Sequence, residues 1–299
     1  VNELQEYAAN LLGKEAALFV TSGVMGNQLC LKVLTQPADE VICEKSSHIF
    51  NYESGSPAAL SGIQLFPIDG INGEMSDTDV IAAIRPTAAY YMPRTKVITI
   101  ENTHNRASGA IQSIEQIEKL KKVADDHKLK FHLDGARIWN ASVASGISVS
   151  KYASYFDTVS CCLSKGLGAP VGSIIASDKA TIEHAFRIRK SWGGGMRQAG
   201  VLAAAGLYAL KNNIDRLSED HEKAKHLAEK INSIKNLKIN LSSVKTNILL
   251  FEPLNISVEE AIKKSKEKGL LLSLGTATSL RALTHLDVSF EEILLAGNI

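Results

Sequence analysis

The sequence predicts an α/β protein. A mainly parallel sheet covered on both faces spans residues 1–212, and a smaller α+β portion spans 213–299. Three observations predict it. Short β-prone runs alternate with helical-period runs through the first two-thirds, the pattern of βαβ units with a buried parallel sheet. Polar or glycine-rich turns come after several of those runs, at the strand ends where open α/β sheets bind ligands. From about residue 213 the texture changes to a long, charged, amphipathic segment and then short strands around one helix.

Composition narrows the function classes. A formal charge of +1 leaves no bulk field to attract nucleic acid or an anionic membrane. No apolar run reaches the roughly 20 residues needed to span a bilayer. Cys30, Cys43, Cys161 and Cys162 show neither CxxC nor metal-ligand spacing, and no metal cluster is expected. The adjacent pair suits a buried strand, and a reducing cytoplasm is the expected compartment.

Taken in order, residues 3–13 place Leu4, Ala8, Leu11 and Leu12 on one helical face, with Gly13 as a stop. Ala16–Val20 reads as a strand. Ser22, Gly23 and Val24 then turn into a helix, whose first N–H groups and dipole favour an anion. Glu40–Cys43 is the next strand, and a short helix carrying His48 follows a serine cap. A strand is expected over Gly62–Pro67 and a helix over Asp77–Ile84 behind Ser76. The β-branched run Lys96–Glu101 ends in the polar loop Asn102-Thr103-His104-Asn105, where His104 faces either ligand or solvent. Ser113–His127 is amphipathic, with Ile114, Ile117, Leu120 and Val123 on one face.

The chemistry concentrates between residues 129 and 173. The strand from Leu129 ends in the carboxylate of Asp134, and Arg137 opens the next helix. A cation there opposes the helix dipole, so the placement makes sense against an anion, which Arg can grip with two parallel hydrogen bonds. The β-prone run Thr158–Cys162 leads into Lys165 and a turn with glycines at 166, 168 and 172. A lysine at the end of a buried strand tends toward a lowered pKa, and a neutral amine attacks aldehydes to form a Schiff base. Pyridoxal phosphate needs such a lysine, and an acid to keep its ring nitrogen protonated. Singly, a strand-end Asp is usually a helix cap and a lone Lys a surface charge; the pairing carries the reading. A basic helix (178–190), a Gly-Gly-Gly loop bearing Arg197, and a small-residue helix (199–210) complete the first portion. The second portion reads as a helix over 214–234, strands at 246–251 and 270–274 around a helix at 258–266, and Arg281 on a last strand. An isolated charge on a strand is costly unless paired.

The segments HLDGARIWNA, SKGLGAPVGS, GGGMRQAGVLAAAGLYAL, NELQEYAANLLGKEAALFV and RALTHLDVS closely resemble the threonine aldolases, fold-type I pyridoxal-phosphate enzymes. The resemblance covers nearly the whole chain. It implies cleavage of L-threonine, L-allo-threonine or a related 3-hydroxy-amino acid to glycine and an aldehyde. Lys165 would bear the cofactor, Asp134 its ring nitrogen, and His48 would stack on the ring. The Ser22-Gly23-Val24 turn and Arg197 would serve the phosphate, and Arg137 and Arg281 the substrate carboxylate. His48, His104 or a water would be the base. Val24 stands where the family commonly has Thr, so one hydroxyl contact to the phosphate is missing. The resemblance further implies a homodimer or homotetramer with shared active sites, and a native N-terminal segment ahead of Val1. Two alternatives stay open: another reaction on the same scaffold (a β-eliminating lyase or an aminotransferase), or a scaffold without activity.

Overall fold

A computed structural model describes residues 1–299. Helix α1 (Asn2–Leu12) buries Leu4, Ala8 and Leu12 and stops at Gly13, whose φ of 63° is left-handed. Strand β1 (Ala16–Val20) runs into α2 (Gly23–Leu34), where the Ser22 hydroxyl accepts the Met25 N–H. After these come β2 (Asp39–Glu44), the short α3 (His48–Asn51), a π-helical turn (Pro57–Ser61) and β3 (Gln64–Ile68). Next are α4 (Asp77–Ala83), β4 (Arg94–Glu101), a 3-10 turn (Asn105–Ala107), α5 (Ile114–Asp126) and β5 (Lys130–Asp134). Then α6 (Ile138–Ser145), α7 (Val149–Ala153), β6 (Thr158–Cys162), β7 (Ser173–Ser177), α8 (Lys179–Ser191) and α9 (Gly200–Asn212) finish the first sheet and its cover. The rest holds α10 (Leu217–Asn232), β8 (Leu237–Ile239), a 3-10 turn (Leu241–Ser243), β9 (Ile248–Pro253), α11 (Val258–Glu267), β10 (Ser273–Leu274), β11 (Leu280–Leu283) and α12 (Phe290–Ala296).

Most boundaries fall within a residue or two of those expected, and the exceptions have physical causes. The strand expected from Gly62 starts at Gln64, because Gly62 is left-handed (φ 69°) and closes the preceding turn onto Ala58. The helix expected from Ile214 starts at Leu217, whose N–H is drawn back to the Ile214 carbonyl in a tight turn. Ser47 occupies the cap position of α3, but its side chain makes no capping bond. The strand expected over 270–274 shrinks to Ser273–Leu274, an exposed edge paired only with β11.

The first sheet has the order β1-β7-β6-β5-β4-β2-β3. Every neighbouring pair is parallel except those involving β7, which is antiparallel to both β1 and β6. All residues of β2 and β6 are buried, as helices on both faces require. The reversal into β7 depends on Gly172. Its φ is 106°, and a Cβ there would collide with the Phe19 ring. Its carbonyl accepts the Leu163 N–H at 3.0 Å, closing the turn that carries Lys165. Glu101 pairs with Asp134, and Asp134 with Ser160, so the carboxyl ends of β4 and β5 lie level and β6 runs on past them to Cys162. The second sheet, β10-β11-β9-β8, is antiparallel throughout. A large core of 37 buried residues fills the first sheet and its helices. A separate core of 11 residues, all between Ala224 and Ile293, lies under the second sheet. No helix is long and apolar enough to cross a membrane.

Candidate active site

A cleft of about 320 Å³ opens at the carboxyl ends of β4, β5 and β6. The first sheet supplies Glu101, Asp134, Cys162 and Lys165 to its walls, α2 supplies Gly23 and Asn27, and the second sheet supplies Ser273, Leu274 and Arg281. His48, Tyr52, Asn105, Arg106 and Arg137 complete the lining.

The floor is a buried acid network. Asp134 is 4% exposed; its Oδ2 accepts from Asn27 Nδ2 at 2.8 Å and its Oδ1 from the Ala136 N–H at 3.1 Å. The same Asn27 amide donates to Glu53 Oε1 at 2.8 Å, and Gln28 donates to Glu53 Oε2 at 2.6 Å. His48 Nδ1 meets Glu53 Oε1 at 3.0 Å. That bond raises the His48 pKa; burial opposes it, and the charges of Asp134, Glu53 and Glu101 reinforce it. Nitrogen and oxygen atoms of His48, Glu53 and Asp134 lie within 4.8 Å of one another, spacing that a metal ion could use. Hydrogen bonds already engage these groups in the chain. Behind them His132 bonds Thr158 Oγ1 at 2.9 Å, and burial pushes its pKa down to about 4, so the ring is neutral. Glu101 is engaged by two backbone donors, the His48 N–H (2.7 Å) and the Asn105 N–H (2.9 Å).

The opposite wall is cationic and unpaired. Neither the Lys165 amine nor the Arg137 guanidinium has a hydrogen-bond or ion-pair partner within the chain. Arg281 donates from one nitrogen to Asn105 Oδ1 at 3.2 Å, and its Nε is buried without an acceptor. Burial and the like charges of Arg137 and Arg106 push its pKa down to about 10. Burial also lowers Arg137, against the pull of Cys162, Glu101 and Asp134. Such repulsion between cations is unfavourable unless an anion joins them. At the end beside Gly23, the Gly23 and Val24 N–H groups of the α2 N-terminus have no acceptor in the chain. A Cβ on Gly23 would lie 2.9 Å from Cys162 Sγ, so bare backbone is needed there.

The turn bearing Lys165 is held from outside. His285 Nε2 bonds the Lys165 carbonyl at 3.1 Å, and Asn213 Nδ2 donates to the Leu167 carbonyl at 2.7 Å. His285 lies just past β11, the strand that carries Arg281.

The structure therefore gathers Lys165, Asp134, His48, Gly23, Arg137 and Arg281 around one cleft. It does not bring His104 there. That ring is 1% exposed and turned to Glu44, with Nε2 at 2.9 Å from Oε2. Burial alone would lower its pKa, but the Glu44 bond and the nearby carboxylates outweigh it. Gly73 packs so closely against the ring that a Cβ there would collide with it. Ser22 caps α2 with its hydroxyl, Val24 contributes backbone only, and Arg197 is exposed on its loop, outside the lining. Sequence reasoning missed Asn27, Glu53, Glu101 and Arg106. The first two come from segments far from Asp134 in sequence, and a buried Asn or Glu on a helix-forming stretch carries no motif.

Against known proteins, the beta-eliminating lyase family model matches residues 1–253. Low-specificity L-threonine aldolase 1 of Arabidopsis thaliana is 40% identical over 97% of this chain and 83% of its own length. The low specificity L-threonine aldolase of Escherichia coli (strain K12) is 38% identical over 98% and 86%. The solved threonine aldolase of Leishmania major superposes with a TM-score of 0.85 over 99% of this chain and 87% of its own, at 18% identity, a likeness of fold alone. A strand-end acid, an unpaired lysine and two arginines lining one cleft, with relatives this similar over almost the whole length, lead to one conclusion: the chain belongs to the threonine aldolases of the beta-eliminating lyase family.

Proposed function

We propose that the protein is a pyridoxal-phosphate-dependent aldehyde-lyase that cleaves L-threonine or L-allo-threonine to glycine and acetaldehyde. The observation that carries the reading is the pair Arg137 and Arg281, two partly buried guanidinium groups left without an anion beside an unpaired Lys165. The cofactor fits the residues present. Lys165 would take its aldehyde, Asp134 its ring nitrogen, and His48 a ring face. The free Gly23 and Val24 N–H groups would take its phosphate, with Arg197 reaching in from its loop or from a neighbouring copy. When bound, pyridoxal phosphate supplies a ring that would delocalise the electron pair left on Cα by the breaking bond.

The chain's own groups do the rest. Arg281 and Arg137 grip the α-carboxylate, which fixes how the Cα–Cβ bond is presented. A base takes the β-hydroxyl proton, the Cα–Cβ bond breaks, and the Cβ–O bond becomes the aldehyde carbonyl. Cα keeps the electron pair and is then protonated to give glycine. His48 lines the cleft and His104 does not, so His48 serves as that base. Asp134, held in place by Asn27 and the Ala136 N–H, would accept the ring N–H.

His48 sets a pH dependence. Its folded pKa lies above the ordinary 6.5 because of Glu53. Its bond to Glu53 therefore stabilises the fold fully below pH 6.5, and that contribution fades as pH rises through the raised value. A base must be neutral, so kcat/KM climbs through the same raised value. Glu53→Gln is expected to move that acid limb to lower pH, read from kcat/KM profiles between about pH 5 and 9; an unmoved limb would remove His48 from this role.

Incubation with L-threonine and L-allo-threonine side by side tests the whole reading, through glycine and acetaldehyde in equal amounts. Ammonia with a keto acid would instead favour a β-eliminating lyase. Association of copies into dimers or tetramers is supported by Val201 and Tyr208 on α9, 75% and 65% exposed. A division of the chain near residue 213 is supported by the separate second core.

A further inference from the structure

We propose that the cleft accepts 3-hydroxy-amino acids whose side chain ends in a second carboxylate, and that Arg106 binds it. The inference rests on the aldolase reading and names the substrate class within it. A single α-carboxylate is satisfied by Arg281 and Arg137, yet a third guanidinium lines the same cleft. Arg106 forms no ion pair and no hydrogen bond in the chain; its guanidinium lies over the Tyr52 ring, 5.0 Å from the centroid. Tyr52 in turn lies 5.7 Å from the His48 ring, on the wall where the β-hydroxyl proton leaves. Arg106 follows Asn105, the acceptor for Arg281, so it stands beside the α-carboxylate grip and close enough for its charge to depress the Arg281 pKa.

No carboxylate of the cleft forms an ion pair with it. Glu101 is taken up by the His48 and Asn105 N–H groups, and Asp134 by Asn27 and Ala136. The methyl group of threonine offers Arg106 nothing, whereas a carboxylate on Cβ extends the substrate's charge along this wall. With 3-hydroxyaspartate the reaction balances without another reactant. The hydroxyl proton goes to the base, the Cα–Cβ bond breaks, and Cβ leaves as the aldehyde carbon of glyoxylate. Cα keeps the pair and takes a proton to become glycine.

The test runs the holoenzyme on L-threonine and on both diastereomers of L-3-hydroxyaspartate, and titrates it with succinate and butyrate by calorimetry. One 3-hydroxyaspartate diastereomer is expected to exceed L-threonine in kcat/KM. Succinate is expected to bind about tenfold or more tighter than butyrate, the scale of one charge-assisted hydrogen bond. Arg106→Ala is expected to lower the hydroxyaspartate-to-threonine ratio of kcat/KM by about 10- to 100-fold and to erase the preference for succinate. Arg106→Lys should restore part of both. Cleavage of L-threonine with no advantage for the diacid in either arm would overturn the proposal alone; cleavage of neither amino acid would bring down the aldolase reading as well.

Discussion

Lys165→Ala is expected to lower glycine release from L-threonine by at least about 10⁴-fold, the upper end of what one acid–base group contributes. The amine is unpaired on the cleft wall, and its turn is fastened at three points: to Gly172, by His285 and by Asn213. None of these involves the side chain, so the variant should fold as the parent does. Purified parent protein should be coloured by bound pyridoxal phosphate, and the variant should lose that absorption band. The measurement is paired: far-UV circular dichroism for the fold, visible absorbance and product release for the site. Parent-like turnover from a folded Lys165→Ala protein would end the assignment of this lysine.

Arg281→Met should produce opposite effects on activity and stability. The side chain holds a buried, unpartnered Nε, and its charge is repelled by Arg137 and Arg106. Removing a charged partner from a carboxylate contact costs about 2–5 kcal/mol, so kcat/KM for L-threonine should fall by about 10² to 10³-fold, chiefly through KM. Without amino acid present, the same change relieves a strained cation. A gain of about 1 kcal/mol, or roughly 2–4 °C in Tm, is expected from an apolar chain of similar volume. Arg281→Lys should recover little activity, since an ammonium cannot supply the two parallel donors of the fork. A variant that loses both activity and melting temperature would mean that Arg281 is structural.

Much of this site is legible in the sequence, and the reason is local. Asp134 ends a strand, Gly23 opens a helix and Lys165 sits in the turn just past a strand, so hydrophobic runs and turn residues betray them. The sheet then places Asp134 and the strand leading to Lys165 side by side. His104 shows the limit. Its loop follows β4 as expected, but the ring turns inward to Glu44, a partner on β2 that sequence distance conceals. Asn27 and Glu53 are invisible for the same reason: a buried polar residue is recognisable only from its partners. In the second portion, β8 and α12 escape notice because a three-residue strand and a seven-residue terminal helix carry too little periodicity. The reversal of β7 is likewise hidden, since strand direction is written in the Gly172 turn and not in the strand.

That reversed strand has a consequence for synthesis. Strand β1 touches the sheet only through β7, pairing Ala16 with Ser177 and Val20 with Ser173. Emerging from the ribosome, helix α1 and strand β1 must wait for a partner translated much later. At about 5–20 residues per second the delay is on the order of ten to thirty seconds. Throughout that interval Leu18, Phe19 and Val20 have no sheet to join.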